Sequence, residues 1–231
     1  MSHCRALVFD FDGLILDTET PLFESWKDIY REAGVTISVD YWASILGTSA
    51  DPQEGYEILE QHLGHPIDRD ALHERRMRRE MELLKGETVL PGVVDMLRSG
   101  KRAGLSLAIA SSSDRKWVTG HIDSLGLRSY FETVVCADDV AHTKPAPDLY
   151  RLAVERLGVS PSQAIAFEDS AHGVRAAVRA GLYCVAVPNR ITQELDFGEA
   201  DRIVDSLEAC DLEELLSAAD GKARSTSTGP H

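Results

Sequence analysis

The stretch VFDFDGLILDTE, residues 8–19, joins a short apolar run to two aspartates that are one residue apart. The apolar residues that lead into Asp10 are typical of a buried β-strand, so Asp10 and Asp12 are expected just past its carboxyl end. Two carboxylates so close together repel each other unless positive charge lies between them. The stretch therefore predicts a strand whose tip carries a metal ion and a phosphoryl group.

Five further short apolar runs follow the first one, and amphipathic helical patterns separate them. Runs that are apolar on both faces are typical of strands covered by helices on both sides, as in parallel sheets. The alternation predicts an α/β fold with a doubly wound, Rossmann-like parallel sheet, in which ligands bind at the carboxyl ends of the strands. The strand candidates are residues 5–9, 105–110, 133–137, 164–167, 182–187 and 202–204.

One long segment breaks this alternation. Residues 18–87 contain helical patterns and no convincing strand, which predicts a helical subdomain inserted after the first strand. Residues 1–17 and 88–220 are then expected to form the catalytic α/β core. The small, polar residues of 221–231 predict a disordered tail.

The charge balance narrows the classes of partner. The chain has 231 residues, 24 basic and 38 acidic, and a formal net charge of −14. Such a chain repels anionic polymers and anionic lipid, so neither nucleic acid nor a membrane is an expected partner. The four cysteines form no CxxC pair and are expected to be buried, reduced thiols. Without a leader pattern or a run of about 18 apolar residues, a cytoplasmic protein is expected.

Four polar stretches are expected just past the ends of predicted strands. Each is ordinary by itself, because such residues usually cap helices or form solvated turns. The carboxyl ends of parallel strands meet at one edge of a sheet, so their order predicts that all four gather at one site. The stretches are Asp10-Phe11-Asp12-Gly13, Ser111-Ser112-Ser113, Lys144-Pro145 and Glu168-Asp169.

This set of side chains matches the requirements of phosphoryl transfer. One carboxylate can attack phosphorus, while a second exchanges protons with the leaving oxygen and with the attacking water. Neighbouring carboxylates and water are the oxygen ligands that Mg²⁺ prefers. A hydroxyl and a lysine can hold the remaining phosphoryl oxygens. The sequence therefore predicts a metal-assisted phosphoryl-transfer site.

Four segments resemble the four motifs of the haloacid dehalogenase superfamily, namely DFDGLILDTE, IASSS, KPAPDLY and AFEDSAHGVRAAVRAGL. The branch that they resemble contains β-phosphoglucomutase and small sugar-phosphate phosphatases, and the resemblance covers about residues 5–205. It implies a Rossmann-like core, an α-helical cap at residues 18–87, Mg²⁺ as the cofactor and a small-molecule phosphate ester as the substrate. Many members of this family are monomers, which implies a monomer here.

The resemblance also implies roles for individual residues. Asp10 is expected to be the nucleophile and a metal ligand. Asp12 is expected to be the general acid and base, with its backbone carbonyl as a second metal contact. Asp169 corresponds to a further metal ligand, and Glu168 beside it to another ligand or a supporting neighbour. Lys144 corresponds to the lysine that neutralises the nucleophile and the phosphate.

Contacts to the substrate are implied in the same way. Ser111 is expected to hold the phosphoryl group with its hydroxyl. Backbone N–H groups are expected to add contacts, namely those of Phe11, Asp12 and Ser112. Thr48 and Ser49 lie on a cap turn that is expected to face the site. Both are candidates for hydrogen bonds to a sugar or a polyol.

Two positions distinguish this chain from β-phosphoglucomutase. The mutase carries a histidine on its first cap helix and an arginine after a cap turn, where this chain has Leu22 and Ala50. A mutase must hold a bisphosphate at both ends, and this chain lacks both of these residues. Hydrolysis is therefore favoured, and phosphomutase activity is the alternative. Within the basic cluster at residues 73–80, Arg75 is the candidate for the distal end of the substrate, although a solvated helix face is the favoured interpretation.

Three other classes fit less well. Dehalogenation is disfavoured because Asp12 and the Glu168-Asp169 pair are features of the metal-dependent phosphoryl-transfer members. Phosphonate hydrolysis is disfavoured because the cap turn offers no lysine for a Schiff base. A receiver-like signalling module is expected to be shorter and to lack a helical insertion. We interpret the sequence as an Mg²⁺-dependent phosphatase of small phosphorylated metabolites, such as sugar or polyol phosphates, that acts through an aspartyl-phosphate on Asp10.

Overall fold

The computed structural model describes residues 3–39, 41–42 and 52–227. In this part of the chain, a parallel sheet is covered by helices on both faces, and further helices are inserted after the first strand. The strands are β1 (Ala6–Phe9), β2 (Ser106–Ala110), β3 (Thr133–Val135), β4 (Ala164–Glu168), β5 (Tyr183–Ala186) and β6 (Arg202–Ile203). The helices are α1 (Glu19–Glu32), α2 (Pro52–Leu63), α3 (Arg69–Leu84), α4 (Val93–Arg102), α5 (Arg115–Ser124), α6 (Asp148–Leu157), α7 (Ala171–Ala180) and α8 (Leu212–Ser227).

The six strands lie in the order β3-β2-β1-β4-β5-β6, and all of their pairings are parallel. In the centre of the sheet, Phe9 of β1 lies opposite Ile109 of β2 and Phe167 of β4. The chain winds outward from β1 to β3 on one side and from β4 to β6 on the other, so the strand order reverses between β1 and β4. All six predicted strands are present within two residues of their predicted ends, which confirms the doubly wound α/β fold.

Alternation along β1 builds a core on each face of the sheet. Leu7 and Phe9 pack in the cluster that contains residues of α4, α5 and α8, whereas Ala6 and Val8 pack with residues of α6 and α7. All four side chains are completely buried. Because a large apolar side chain contributes about 1.5–3 kcal/mol on full burial, the central strand is firmly held and its tip is a rigid platform.

The inserted helices have an apolar cluster of their own. Trp26 and Tyr30 of α1 are buried in it together with Tyr56 of α2. The Tyr30 hydroxyl donates to the Gly55 carbonyl oxygen at 2.7 Å, and a Cβ at Gly55 would lie 2.6 Å from the Trp26 ring. The small residue at this point allows α2 to lie directly on the aromatic face of α1.

Two chain segments connect the inserted helices to the sheet, and they pair with each other. Leu16, on the way out, forms an antiparallel bridge with Val89, on the way back. The Leu90 N–H donates to the Ile15 carbonyl oxygen at 2.9 Å. The exit and the return therefore run side by side as a short two-stranded ribbon.

The C-terminal segment corrects the predicted disordered tail. Helix α8 extends to Ser227, so residues 221–227 are helical, and residues 228–231 lie outside the described part of the chain. Leu215 and Ala219 of α8 are buried in the core, and the Asp220 carboxylate accepts from the His3 N–H at 2.8 Å. Docking of its apolar side stabilises the helix beyond its last buried turn, which composition alone did not indicate.

Two further predictions concern the cap turn and membrane-spanning helices. Thr48 and Ser49, like Ala50, lie outside the described residues. Over the described ranges, no helix combines the length and the apolar character needed to cross a bilayer.

Candidate active site

Strand β1 carries Asp10 to the point where the strand order reverses. The Asp10 N–H donates to the Phe167 carbonyl oxygen at 3.0 Å, so strand pairing continues up to this carboxylate. Gly13 then turns the chain with a φ of +74°. A Cβ at Gly13 would overlap the Asp169 carboxylate, so glycine provides both the left-handed turn and the close approach.

Strand β4 supplies two more carboxylates, since Glu168 is its last residue and Asp169 follows directly. Asp10, Glu168 and Asp169 are 5%, 0% and 2% exposed, and one oxygen of each lies within 4.8 Å of the others. Gly173 of α7 makes room for this group, because a Cβ there would overlap the Glu168 carboxylate. Converging, buried carboxylate oxygens suit a hard divalent cation, so these three residues could hold a metal ion.

Lys144 is the cation of this group. Its Nζ lies 2.6 Å from Asp10 Oδ1 and 2.6 Å from Glu168 Oε1. The Tyr150 hydroxyl also donates to Glu168 Oε1. Three carboxylates and one ammonium leave two negative charges in excess, which is the charge that one divalent ion would balance.

The same excess appears in the ionisation of the carboxyl groups. Burial, followed by the repulsion of Glu168, raises the pKa of Asp10 to about 7, although Lys144 opposes this shift. Burial, and then the charge of Asp10, raises the pKa of Asp169 well above its ordinary value. Burial disfavours the charged form of Lys144, but Asp10 and Glu168 outweigh it and raise the pKa of Lys144. The lysine therefore stays charged, while Asp10 and Asp169 favour protons or a cation.

Asp12 has a separate set of partners on the other side of the turn. Its Oδ1 accepts from Trp117 Nε1 at 2.9 Å. Its Oδ2 accepts from the Ser113 hydroxyl at 2.7 Å and from the Ser111 hydroxyl at 3.2 Å. Donors on both oxygens hold the carboxylate of Asp12 in one orientation next to Asp10.

The serines at the end of β2 occupy different environments. Ser111 is completely buried, and its hydroxyl also accepts from the Ser113 N–H at 3.0 Å. Ser112 is exposed and lines the cleft together with Ser113. The structure thus places Ser111 beside Asp12, while Ser112 and Ser113 have direct access to the cleft.

Asn189 is a residue that the sequence analysis did not single out. It follows β5 by three positions, and its Nδ2 donates to Asp169 Oδ2 at 2.7 Å and to the Gly13 carbonyl oxygen at 3.1 Å. Its Oδ1 accepts from the Ile191 N–H at 2.8 Å. The amide thereby fixes one oxygen of Asp169, and its place just past a neighbouring strand is the signal that could have identified it.

A cleft of about 940 Å³ lies between the strand tips and the inserted helices. Residues of both parts line it, including Asp10, Asp12, Lys144 and Asp169 from the strand tips. Its volume is in the range of small-molecule sites. The residues of the inserted helices that line it are Glu19, Leu22, His73, Arg76, Met77 and Glu80.

The arginine that faces the cleft is Arg76, one position from the predicted Arg75. Arg75 is half exposed and pairs with Glu32 at 2.8 Å. Arg76 is 4% exposed, pairs with Glu80 at 2.6 Å and lies over the Trp26 ring at 5.4 Å. One residue rotates a helical side chain by about 100°, so a rough alignment could not separate the two.

Glu19 is a second cleft residue that sequence reasoning missed. Its Oε2 is buried and has no hydrogen-bond partner within the described ranges. Burial, and then the charges of Asp12 and Asp10, raises the pKa of Glu19 to about 8. A buried oxygen without a partner is one that a hydroxyl or amino group of a bound molecule can satisfy.

This arrangement can perform nucleophilic chemistry on an electrophile that carries negative charge. A carboxylate at a rigid strand tip, a charged lysine beside it and a second, hydrogen-bonded carboxylate across the turn are the parts that such chemistry requires. The cleft, which the inserted helices help to enclose, limits the size of the molecule that can reach them.

Comparisons with known proteins agree with this architecture. The family model described as haloacid dehalogenase-like hydrolase matches residues 7–187. A Bacillus subtilis protein named "Putative phosphatase YhcW" is 43% identical over 212 residues, which are 92% of this chain and 96% of that protein. "Phosphorylated carbohydrates phosphatase" of Thermotoga maritima is 34% identical over 182 residues, which are 77% and 82% of the two chains.

A solved structure is similar along nearly its whole length. CbbY from Rhodobacter sphaeroides, crystallised in complex with xylulose-(1,5)bisphosphate, is 30% identical, with a TM-score of 0.70. The match covers 89% of this chain and 96% of that one.

Fold and site thus define a hydrolase with a Rossmann-like sheet and a buried carboxylate cluster at its switch point. The chain belongs to the haloacid dehalogenase-like hydrolase family, which confirms the resemblance found in the sequence. Family and relatives together support the predicted enzyme class, a phosphoric monoester hydrolase.

Proposed function

We propose that this protein is an Mg²⁺-dependent phosphatase that hydrolyses sugar or polyol monophosphates through an aspartyl-phosphate on Asp10. The observation that carries the proposal is the position of Lys144, 2.6 Å from both Asp10 and Glu168 in a buried carboxylate cluster. This cluster lies at the tip of the central strand and opens into a cleft of small-molecule size. The names of the phosphatase relatives support the same reaction.

Each residue of the cluster has a defined part in the proposed mechanism. Asp10 attacks the phosphorus atom, and Lys144 balances the charge of the nucleophile and of the transferred group. Asp12 gives a proton to the leaving ester oxygen and later takes one from the water that cleaves the acyl phosphate. Asp10, Glu168 and Asp169 would hold Mg²⁺, which neutralises charge on the phosphoryl oxygens when it is bound.

The charges of the cleft favour a substrate with a single phosphate. Among the described cleft residues, the cationic side chains are Lys144 and Arg76, and each is already paired with carboxylates. Residues 40 and 43–51, which lie outside the described ranges, contain neither lysine nor arginine. A second phosphate would therefore have to displace a carboxylate partner of Arg76 or Lys144, whereas hydroxyl groups can donate to the oxygens of Glu19 and Glu80. The bisphosphate held by CbbY is thus a property of that relative that we do not extend to this chain.

The side chains that line the cleft also disfavour phosphomutase activity, the alternative to hydrolysis. Leu22, where β-phosphoglucomutase carries a histidine, lines the cleft with an apolar side chain. A phosphomutase must hold a bisphosphate intermediate in two orientations, and the described cleft has no unpaired cation for its second end. Hydrolysis therefore remains the function that the geometry supports best.

The further parts of the proposal concern the arrangement of the chain. Residues 18–87 act as a cap on a core of residues 1–17 and 88–220, and the enzyme works as a monomer on a small-molecule phosphate ester. Thr48 and Ser49 are proposed to bind the substrate's hydroxyl groups. Ser111 and Ser112 are proposed to bind the phosphoryl group, which for Ser111 requires its buried hydroxyl to turn away from Asp12 Oδ2.

A screen of phosphorylated metabolites tests the proposal. Sugar and polyol monophosphates are incubated with the protein in the presence of Mg²⁺ or of a chelator, and released phosphate is measured. We expect release that depends on Mg²⁺ and is faster for monophosphates than for bisphosphates. Absence of release from every ester would contradict the proposal. β-Glucose 1-phosphate with its bisphosphate is included, since formation of glucose 6-phosphate would favour the mutase.

The nucleophile is tested by Asp10→Asn. This variant should lose turnover because an amide neither attacks phosphorus nor forms an acyl phosphate, and acid-quenched protein should gain no phosphoryl mass. Asp95→Asn is the matched control, because Asp95 is exposed on α4 and makes a longer contact with its cationic partner. Its carboxylate Oδ1 is 3.8 Å from Arg98 Nη1, compared with 2.6 Å between Asp10 and Lys144. Full activity of Asp10→Asn would end the assignment of the nucleophile.

A further inference from the structure

Trp117 differs in its surroundings from the other two tryptophans of the chain. Trp26 and Trp42 are buried among the inserted helices, whereas Trp117 lines the cleft. Its Nε1 donates to Asp12 Oδ1 at 2.9 Å. An indole N–H can donate a hydrogen bond but cannot accept one. The general acid and base of the proposed reaction is therefore in direct contact with a group that is only a donor.

The two oxygens of Asp12 consequently have chemically different partners. Oδ1 faces the indole of Trp117, while Oδ2 accepts from the hydroxyls of Ser113 at 2.7 Å and Ser111 at 3.2 Å. A serine hydroxyl can turn from donor to acceptor, so a proton on Oδ2 keeps a partner. A proton on Oδ1 would face another N–H and lose its hydrogen bond.

The position of the indole is fixed from two sides. Asp114 is the N-cap of α5, and its Oδ1 accepts from the Trp117 N–H of the main chain at 2.8 Å. The Trp117 ring also packs on the His121 ring, with 4.3 Å between their centroids. Because the first turn of α5 and the ring are both held, the indole N–H has a defined direction toward Asp12.

We propose that Trp117 is a positioning residue that holds Asp12 Oδ1 as an acceptor and thereby assigns proton exchange to Oδ2. The inference rests on the phosphatase function proposed above. As Asp10 forms its bond to phosphorus, the P–O bond to the leaving group breaks, and the ester oxygen takes the proton from Oδ2. In the second step, water attacks phosphorus, the bond to Asp10 breaks, and Oδ2 takes the proton of that water.

Substrates with different leaving groups test this role. An alkyl phosphate needs a proton on its leaving oxygen, whereas p-nitrophenol leaves as a stabilised anion. The Trp117→Phe variant keeps an aromatic ring and removes the donor. We expect its kcat/KM to fall about tenfold or more for the alkyl phosphate hydrolysed fastest in the screen above, and much less for p-nitrophenyl phosphate.

The controls separate this role from a structural one. Trp42→Phe makes the same change at a tryptophan of the inserted helices, and it should leave the ratio of the two kcat/KM values unchanged. Ser113→Ala removes a donor to Oδ2 and should share the selective loss. Equal losses for both substrates in Trp117→Phe, or no loss, would overturn the inference. Wild-type protein that hydrolyses neither ester would instead overturn the proposed function.

A measurement without turnover tests the contact itself. In ¹⁵N-labelled protein, the indole N–H resonance that disappears in Trp117→Phe belongs to Trp117. The Asp12→Ala variant should move this resonance and leave the other two indole signals in place. An unchanged chemical shift of the Trp117 indole N–H in Asp12→Ala would overturn the inference.

Discussion

At the scale of single residues, two glycines allow the backbone to approach buried carboxylates closely. Gly13 passes Asp169 in the turn after β1, and Gly173 passes Glu168 in the first turn of α7. Neither position has room for a Cβ without displacing a carboxylate. The cluster at the strand tips therefore depends on small residues as much as on charged ones.

Gly173→Ala tests this dependence. The added methyl group would collide with the Glu168 carboxylate, so we expect the free energy of unfolding to fall by about 1–3 kcal/mol and Mg²⁺ dependence to weaken. Gly120→Ala is the matched control, because Gly120 is also helical but no atom would lie within 4 Å of its Cβ. It should raise stability by about 0.4–1 kcal/mol. Chemical denaturation measures both, and equal effects of the two variants would contradict the argument.

The site residues that the sequence predicts differ from those that it misses in how they reach the site. The predicted residues follow strands, so the topology of the sheet brings them to one edge, namely Asp10, Asp12, Lys144 and the Glu168-Asp169 pair. Glu19, Arg76, Trp117 and Asn189 reach the site through the direction of a helical side chain or the path of a loop. That direction depends on packing between elements, which periodicity does not specify.

At the scale of elements, α5 connects a helix cap to the carboxylate of Asp12. Asp114 accepts from the main-chain N–H of Trp117, and the side chain of the same tryptophan donates to Asp12. The start of this helix is therefore part of the site, although it lies outside the four recognised motifs.

Asp114→Ala should show this connection. Loss of the N-cap should reduce the free energy of unfolding by about 1 kcal/mol and lower turnover, because the first turn of α5 no longer fixes the indole. Asp114→Asn preserves a good N-cap and is the control. Denaturant unfolding and phosphate release are measured for both. Comparable behaviour of the two variants in both measurements would contradict the link.

Sequence patterns predict the strands of this protein well but not the extent of its last helix. The strands are recovered to within two residues because each is apolar on both faces and bounded by polar residues. The last helix continues into residues 221–227, which were predicted to be part of a disordered tail, because Leu215 and Ala219 pack against the core. Local composition therefore indicates the positions of the strands, whereas the extent of the last helix depends on tertiary contacts.

At the scale of the whole molecule, protonation of the cluster links metal binding to stability. Burial, followed by the charge of Glu168, raises the pKa of Asp10 from its ordinary value of 3.8 to about 7 in the folded protein. Between these values, the folded state binds more protons than the unfolded state, so the contribution of Asp10 to stability decreases as pH rises. The raised pKa values of Asp169 and Glu19 have the same sign.

The increase in Tm caused by Mg²⁺ should therefore be larger at about pH 8 than at about pH 5, because protons compete with the ion at low pH. Thermal unfolding with Mg²⁺ and with a chelator at both pH values measures this difference. Asp10→Asn removes one of these titrating groups, so its Mg²⁺-induced shift in Tm should vary less with pH than that of the wild type. A shift of equal size at both pH values in the wild type would contradict the proposed linkage.

The paired connection between the sheet and the inserted helices has a mechanical consequence. Leu16 and Val89 bridge the two connecting segments, and the Leu90 N–H bonds to Ile15 between them. A hydrogen-bonded strip bends readily across its flat face but resists bending within its plane and sliding of one strand along the other. We therefore expect any movement of the inserted helices relative to the sheet to carry Glu19 and Arg76 toward Asp10 along one path, so that they meet each substrate at the same angle.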